Sequence, residues 1–203
     1  AIAKTTKSIN VDFLPCFSKI QSFFIDPVSA TNYAILEDNS VLYKYDLDGK
    51  SWKKDSLKNL YSNLPLKARG GITDDNGTIW FFNTNQIYAF KNGQSIPDFP
   101  KTITDFLYPL NPLAAVFKNH KLYLFKNKLL YELNIEKLKI DKIHRPQYIF
   151  ENFPLHLNAA FRHNGLQYFY SNQNYSIYDE KNSKILDGYP KAIITDWSLC
   201  RSS

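Results

Sequence analysis

Asn164-Gly165-Leu166-Gln167-Tyr168-Phe169-Tyr170 decides how this chain is read, because the same phrase occurs three more times. The other copies are Asn39-Ser40-Val41-Leu42-Tyr43-Lys44-Tyr45, Asn76-Gly77-Thr78-Ile79-Trp80-Phe81-Phe82 and Asn119-His120-Lys121-Leu122-Tyr123-Leu124-Phe125. Each is a turn residue followed by an aromatic-rich strand whose side chains alternate between two faces. The starts lie 37, 43 and 45 residues apart, and self-similarity at that period marks a propeller or a solenoid. A second anchor, Trp52, Tyr88, Tyr131 or Tyr178, follows each Asn after 12 to 14 residues. Strand, turn and returning strand account for that distance, so each copy is expected to contain a hairpin.

Small residues stand ahead of each Asn: Tyr33-Ala34, Gly70-Gly71, Ala114-Ala115 and Ala159-Ala160. They suit the crowded centre of a ring, where neighbouring backbones converge, and predict the inner strands. Asp98-Phe99-Pro100-Lys101-Thr102-Ile103 and Gly188-Tyr189-Pro190-Lys191-Ala192-Ile193 match across two repeats. Ser56 to Leu64 and Tyr148 to Phe153, each closed by proline, have apolar spacing that predicts short connecting helices.

Four interlocking repeats in 203 residues imply one closed unit. With 14 Tyr, 15 Phe and 3 Trp the chain can bury a sizeable core and is not disordered. No run approaches the 18 to 20 apolar residues that span a bilayer, and the first fifteen residues lack the pattern of a signal peptide. Methionine is absent, so a segment upstream of Ala1 is expected in the precursor.

The two cysteines, Cys16 and Cys200, bracket all four copies. Two free thiols is the plain reading, but their placement predicts a bridge joining the ends of the ring, worth at most about 5 kcal/mol by loop entropy. Such a bridge implies secretion. Asn76-Gly77-Thr78 and Asn174-Tyr175-Ser176 fit the N-glycosylation pattern in expected turn or hairpin positions.

Leu157-Asn158-Ala159-Ala160-Phe161-Arg162, running through Tyr168-Phe169-Tyr170 to Asp187-Gly188-Tyr189-Pro190-Lys191, with Asp196-Trp197 near Cys200, resembles the hemopexin-like repeat. The resemblance covers Cys16 to Cys200 and is sharper in repeats three and four. It implies an all-β, four-bladed β-propeller with its first and last blades tied by a Cys16–Cys200 disulfide. Residues 1–15 would be an N-terminal linker, and the blades would run approximately 16–65, 66–110, 111–155 and 156–200 within a domain of 16–203. Plant seed albumins with a hemopexin-like fold are one relative, and the bracketing cysteines look more like the animal extracellular version. Kelch repeats need a double glycine in every blade and WD40 repeats a recurring Trp-Asp, and neither pattern is met.

The family opens each inner strand with Asp, whose backbone carbonyl faces a cation in the central tunnel. The aligned positions here are Asn32, Arg69, Leu113 and Asn158. Carbonyls survive substitution, so the resemblance implies calcium or sodium there, whereas the lost carboxylates and Arg69 oppose it. No other cofactor is required. Haem is not expected, since in hemopexin it sits between two propellers and one is encoded here.

No zinc-protease, nucleophile-elbow or phosphate-loop motif is present, so the chain does not read as an enzyme. His120, His144, His156 and His163 lack close metal-ligand spacing and are expected at the surface or rim. Charge is uneven. Lys118, Lys121, Lys126, Lys128, Lys137, Lys139, Lys142 and Arg145 face only Glu132, Glu136 and Asp141 in the same stretch, a net of +5 out of +6 for the chain. A basic third blade suits sulfated glycans, acidic proteins or anionic membranes, with a solvated, edge-protecting face as the plain alternative. The expected function is a secreted, non-enzymatic binding module for an extracellular protein or sulfated glycan, with no nucleic acid as partner. The alternatives are the C-terminal exosite domain of a matrix metalloproteinase-like enzyme and a haem or metal-ion carrier.

Overall fold

The computed structural model describes residues 20–36, 42–46, 51–56, 60–65, 67–104 and 110–193. Four antiparallel sheets follow one another along the chain. Blade 1 comprises β1 (Ile20–Ile25), β2 (Asn32–Leu36), β3 (Leu42–Asp46) and β4 (Ser51–Asp55). Blade 2 comprises β5 (Arg69–Thr73), β6 (Ile79–Asn83), β7 (Gln86–Lys91), β8 (Gln94–Ser95) and β9 (Lys101–Thr102). Blade 3 comprises β10 (Ala114–Lys118), β11 (Lys121–Lys126), β12 (Leu129–Asn134) and β13 (Lys139–His144). Blade 4 comprises β14 (Ala159–His163), β15 (Leu166–Ser171), β16 (Asn174–Asp179), β17 (Lys184–Ile185) and β18 (Lys191–Ala192).

The first strands of the blades, β1, β5, β10 and β14, pack against their neighbours around a central axis, and β1 meets β14 to close the ring. β5 also touches β14 across the axis, so the centre is narrow. Alternation along each strand sends one set of side chains to each neighbouring blade. On β6, Ile79 and Phe81 enter the core shared with blade 1, while Trp80 and Phe82 enter the core shared with blade 3. On β11, Leu122 and Leu124 face blade 2, and Tyr123 and Phe125 face blade 4. The sheets are therefore buried on both faces, which is why the repeats are aromatic-rich runs without a polar side.

The closing core between blades 1 and 4 is built around Phe23, which is fully buried. Its ring stacks on Phe161 at 4.8 Å and on Tyr170 at 4.9 Å, and meets Trp52 edge-on at 5.7 Å. Between blades 1 and 2, Tyr61 donates a hydrogen bond to Asp26 Oδ1 at 2.9 Å, fixing the connecting segment against the β1–β2 turn.

All four expected hairpins are present, as β3–β4 in repeat one and β6–β7, β11–β12 and β15–β16 in repeats two to four. Repeat one is displaced by a whole strand. Tyr33-Ala34 belongs to the second strand, β2, and the phrase ending Leu42-Tyr43-Lys44-Tyr45 is the third strand, β3. The inner strand of blade 1 is β1, which has no small pair because a bulge at Gln21 and two polar side chains do its work. Gln21 Nε2 donates to the Ala68 carbonyl and Ser22 Oγ to the Gly70 carbonyl, both at 2.9 Å, so the strand docks on blade 2 by hydrogen bonds. The helix expected over Tyr148–Phe153 is instead a single 3-10 turn at Pro146–Tyr148, since Pro146 starts it early and Asn152 turns left-handed beyond it. The other expected helix includes 57–59, outside the described residues, as do Cys16 and Cys200.

Candidate functional site

The third-blade cations divide into two groups. Lys118 faces inward, its ammonium donating to the Ile149 carbonyl at 2.6 Å and to the Tyr178 hydroxyl at 2.5 Å, above the rings of Phe150 and Tyr178. It staples blade 3 to blade 4 and leaves the patch. Lys121 is bound to Glu132 at 2.5 Å, and His144 reaches the other oxygen of the same carboxylate at 2.9 Å. Lys128, Lys137, Lys139, Lys142 and Arg145 are exposed, and Lys126 is half-buried. Three of them ride on or just beyond β13, with Ile143 57% exposed between and Tyr148 75% exposed on the turn that follows. This outer strand is six residues long, where β8, β9, β17 and β18 are two each.

Burial pushes the Glu132 carboxyl up, but hydrogen bonds from Lys121 and His144 and the charges behind them outweigh it and hold the group below the usual carboxylate range. Its folded value lies below the unfolded one, so its contribution is present above about pH 4.3 and is lost as pH falls through the lower folded value. Thermal melts from pH 6 to 3 should show this acid loss, and Glu132→Gln should flatten that part of the profile. An unchanged profile in the variant would remove the triad from the account.

At one mouth of the channel, where β1, β5 and β14 end, a cavity of about 280 Å³ is lined by Thr73, Asp74, Asp75, Arg162, His163 and neighbours. Arg162 dominates it. The guanidinium pairs with Glu180 through Nε at 2.6 Å and Nη2 at 2.8 Å, reaches Asp75 Oδ1 at 2.7 Å, and lies 5.0 Å over the Phe117 ring. Asp75 also meets His120 Nδ1 at 2.6 Å. Buried Gln167 exchanges hydrogen bonds with both the amide and the carbonyl of Phe117 and donates to Glu180 at 3.0 Å. The cluster locks blades 2, 3 and 4 together and spends its charges internally.

The opposite mouth holds a larger cavity, about 450 Å³, where Lys67, Arg69 and Leu113 stand with amide and hydroxyl side chains. Of the four residues aligned to a tunnel cation, Arg69 opens the inner strand β5, and Leu113 and Asn158 immediately precede β10 and β14. Asn32 does not belong with them, because it opens the second strand of blade 1. The small pair that marks the other inner strands is missing from β1, which is the inner strand of this blade. Asn158 Oδ1 accepts the Asn172 amide at 2.7 Å, so its side chain is committed to the β15–β16 turn.

Asn76 and Asn174 are both exposed, the first in a turn organised by Asp74 and the second at the start of β16. His120, His156 and His163 are exposed, while His144 is half-buried as a member of the third-blade triad with Lys121 and Glu132. Among the described residues no group of three His, Cys, Asp or Glu side chains is placed to hold a metal ion, and no helix is long and apolar enough to cross a membrane.

A ring of four sheets, each opening on an inner strand and closed by contact of the first and last, is a four-bladed propeller. No protein-family profile matches the chain. Stromelysin-3 of Xenopus laevis is 28% identical over 150 residues, which cover 70% of this chain and 31% of that protein. The chain thus spans about a third of the length of that relative. Among solved structures it is similar to a hemopexin fold protein, CP4, from cow pea, with a TM-score of 0.65 at 14% identity over 89% of this chain and 96% of that one. A plant albumin from Cicer arietinum showing hemagglutination superposes equally well, with a TM-score of 0.65 at 14% identity over 89% and 96%. A plant lectin with two metal binding sites from Cicer arietinum gives 0.64 at 15% identity over 88% and 95%. The chain has the hemopexin-like fold.

Proposed function

We propose that this domain is a secreted, non-catalytic docking module that binds a sulfated glycan through the outer strand of blade 3. The observation that carries the reading is β13, a six-residue outer strand that presents Lys139 and Lys142, with Arg145 next to it, around exposed Ile143. Cations exposed on and beside a rigid strand suit a polyanion, whereas the ammonium of Lys118 is turned inward onto the Ile149 carbonyl and the Tyr178 hydroxyl. Secretion is supported by the resemblance and by the placement of Cys16 and Cys200 in the sequence.

Heparin chromatography tests the reading. Replacing Lys139, Lys142 and Arg145 together by Gln should weaken heparin binding about tenfold, at roughly 0.5 kcal/mol for each exposed charge, and bring elution to lower salt. Lys118→Gln should lower the melting temperature. Unchanged elution of the triple variant would overturn the proposal.

The match to stromelysin-3 favours a second reading, in which the module supplies a substrate-binding exosite to a catalytic domain in the same protein. A zinc-protease motif upstream of Ala1 in the precursor would decide for it.

A further inference from the structure

We propose that Tyr148 is a sugar-stacking platform, on which one pyranose ring of a sulfated glycan lies while its sulfate is held by Arg145. The inference rests on the reading of β13 as a polyanion-binding strand. It names what that strand alone lacks, a means of telling a sulfated sugar from any other polyanion. Surface cations attract every anionic chain alike, since their field reads charge and not the backbone that carries it. A flat ring reads the backbone.

Tyr148 is out of keeping with the other aromatic residues. Of the aromatic side chains on the described residues it is the one left exposed, at 75%, where the rings of the repeats pack between blades. It is also held in place. Pro146 is buried and starts the 3-10 turn Pro146–Tyr148, and three amides close that turn: Tyr148 donates to the Arg145 carbonyl at 3.0 Å, and Ile149 and Phe150 donate to the Pro146 carbonyl at 2.9 and 2.8 Å. Beyond the turn, Phe150 is fully buried and meets Phe169 and Tyr178 edge-on, so the backbone that bears Tyr148 is anchored on both sides. A tyrosine has only two side-chain torsions to fix, so a ring presented in this way offers contact area at low entropic cost.

An exposed apolar residue alone is ordinary on a surface. Its company gives this one a partner. Arg145 stands immediately ahead of the turn, about 6 Å from Tyr148 along the axis at the 3-10 rise. Gln147 lies between them, Lys142 and Ile143 precede them on β13, and all are exposed, Ile143 at 57%. From Lys142 to Leu155 the only carboxylate is Glu151, against the two cations Lys142 and Arg145. A sulfated pyranose asks for a cation at its sulfate, an amide at its hydroxyls and a flat apolar surface under the C–H face of its ring. Arg145, Gln147 and Tyr148 supply one each.

The test is calorimetric titration of the whole chain with three probes: a heparin hexasaccharide, polyvinyl sulfate, which carries sulfates and no sugar ring, and polyglutamate. Tyr148→Ala should weaken hexasaccharide binding about three- to tenfold, the range for a stacked ring, and leave both the polyvinyl sulfate affinity and the melting temperature unchanged. Tyr148→Phe should restore hexasaccharide binding. In the native domain the ring protons of Tyr148 should shift with the hexasaccharide and not with polyvinyl sulfate. An equal loss for both sulfated polymers in Tyr148→Ala, or a preference for polyglutamate that depends on Tyr148, would each overturn the proposal. If both sulfated polymers bind and Tyr148→Ala weakens neither, this inference falls and the reading of β13 stands; if neither binds the native domain, both fall.

Discussion

Phe23→Ala should destabilise the domain by about 3–5 kcal/mol, the cost of emptying a fully buried phenylalanine site. The upper part of that range is expected because the ring is not merely buried. It stands in the core that joins the first blade to the last, stacked between Phe161 and Tyr170 of blade 4 and edge-on to Trp52 of its own blade. Aromatic pairs of this geometry add roughly 0.5–1.5 kcal/mol beyond area burial. Three rings around it cannot all collapse into the space left behind. In a chain of this size the loss corresponds to a fall of roughly 10 °C in melting temperature. Urea titration and thermal melts give the number, and a loss below about 1 kcal/mol would mean that ring closure is carried elsewhere.

Gly71→Ala should cost nearly as much, about 3–4 kcal/mol, for a different reason. Gly71 sits at φ +89°, and an added Cβ would stand 2.5 Å from Phe24 Cβ, on a side chain packed between blades 1 and 2. Phe24 cannot retreat, since Phe81 meets it edge-on and Tyr33 stacks on it. Gly70 is nearly as confined, 2.9 Å from the Trp80 carbonyl at φ +100°. Gly93 is the control. It has φ +76° with nothing within 4 Å, so Gly93→Ala should show only the backbone cost, about 1 kcal/mol. Equal losses at Gly71 and Gly93 would show that φ alone sets the penalty and that β5 does not press on blade 1.

These two residues also mark where the sequence was legible and where it was not. Gly70-Gly71, Ala114-Ala115 and Ala159-Ala160 mark inner strands because backbones crowd there, and β5, β10 and β14 are inner strands. The hairpins of all four blades are legible because turn residues and alternating aromatics are local signals. Blade 1 misled, since a bulge at Gln21 and hydrogen bonds from Gln21 and Ser22 replace close apolar packing, and neither leaves a pattern in the chain. Charge counting found the basic blade but not its partners: Lys118 and Lys121 are held by groups 11 to 60 residues away. The Arg162 cluster escaped for the same reason, its carboxylates lying in the turn before β6 and just beyond β16.

The outer margins of the four sheets alternate. Blades 1 and 3 end in one continuous strand, β4 or β13, whereas blades 2 and 4 end in two fragments, β8 with β9 and β17 with β18, both fragments pairing with the blade's third strand. In each fragmented blade a lysine lies over the aromatic ring two residues before it, Lys101 over Phe99 and Lys191 over Tyr189. The ring is thus a dyad of like halves, each an unlike pair of blades, before it is a tetrad. Two unlike edges therefore face solvent, each occurring twice, so a partner that adds a strand to one edge has two places to do so on the ring.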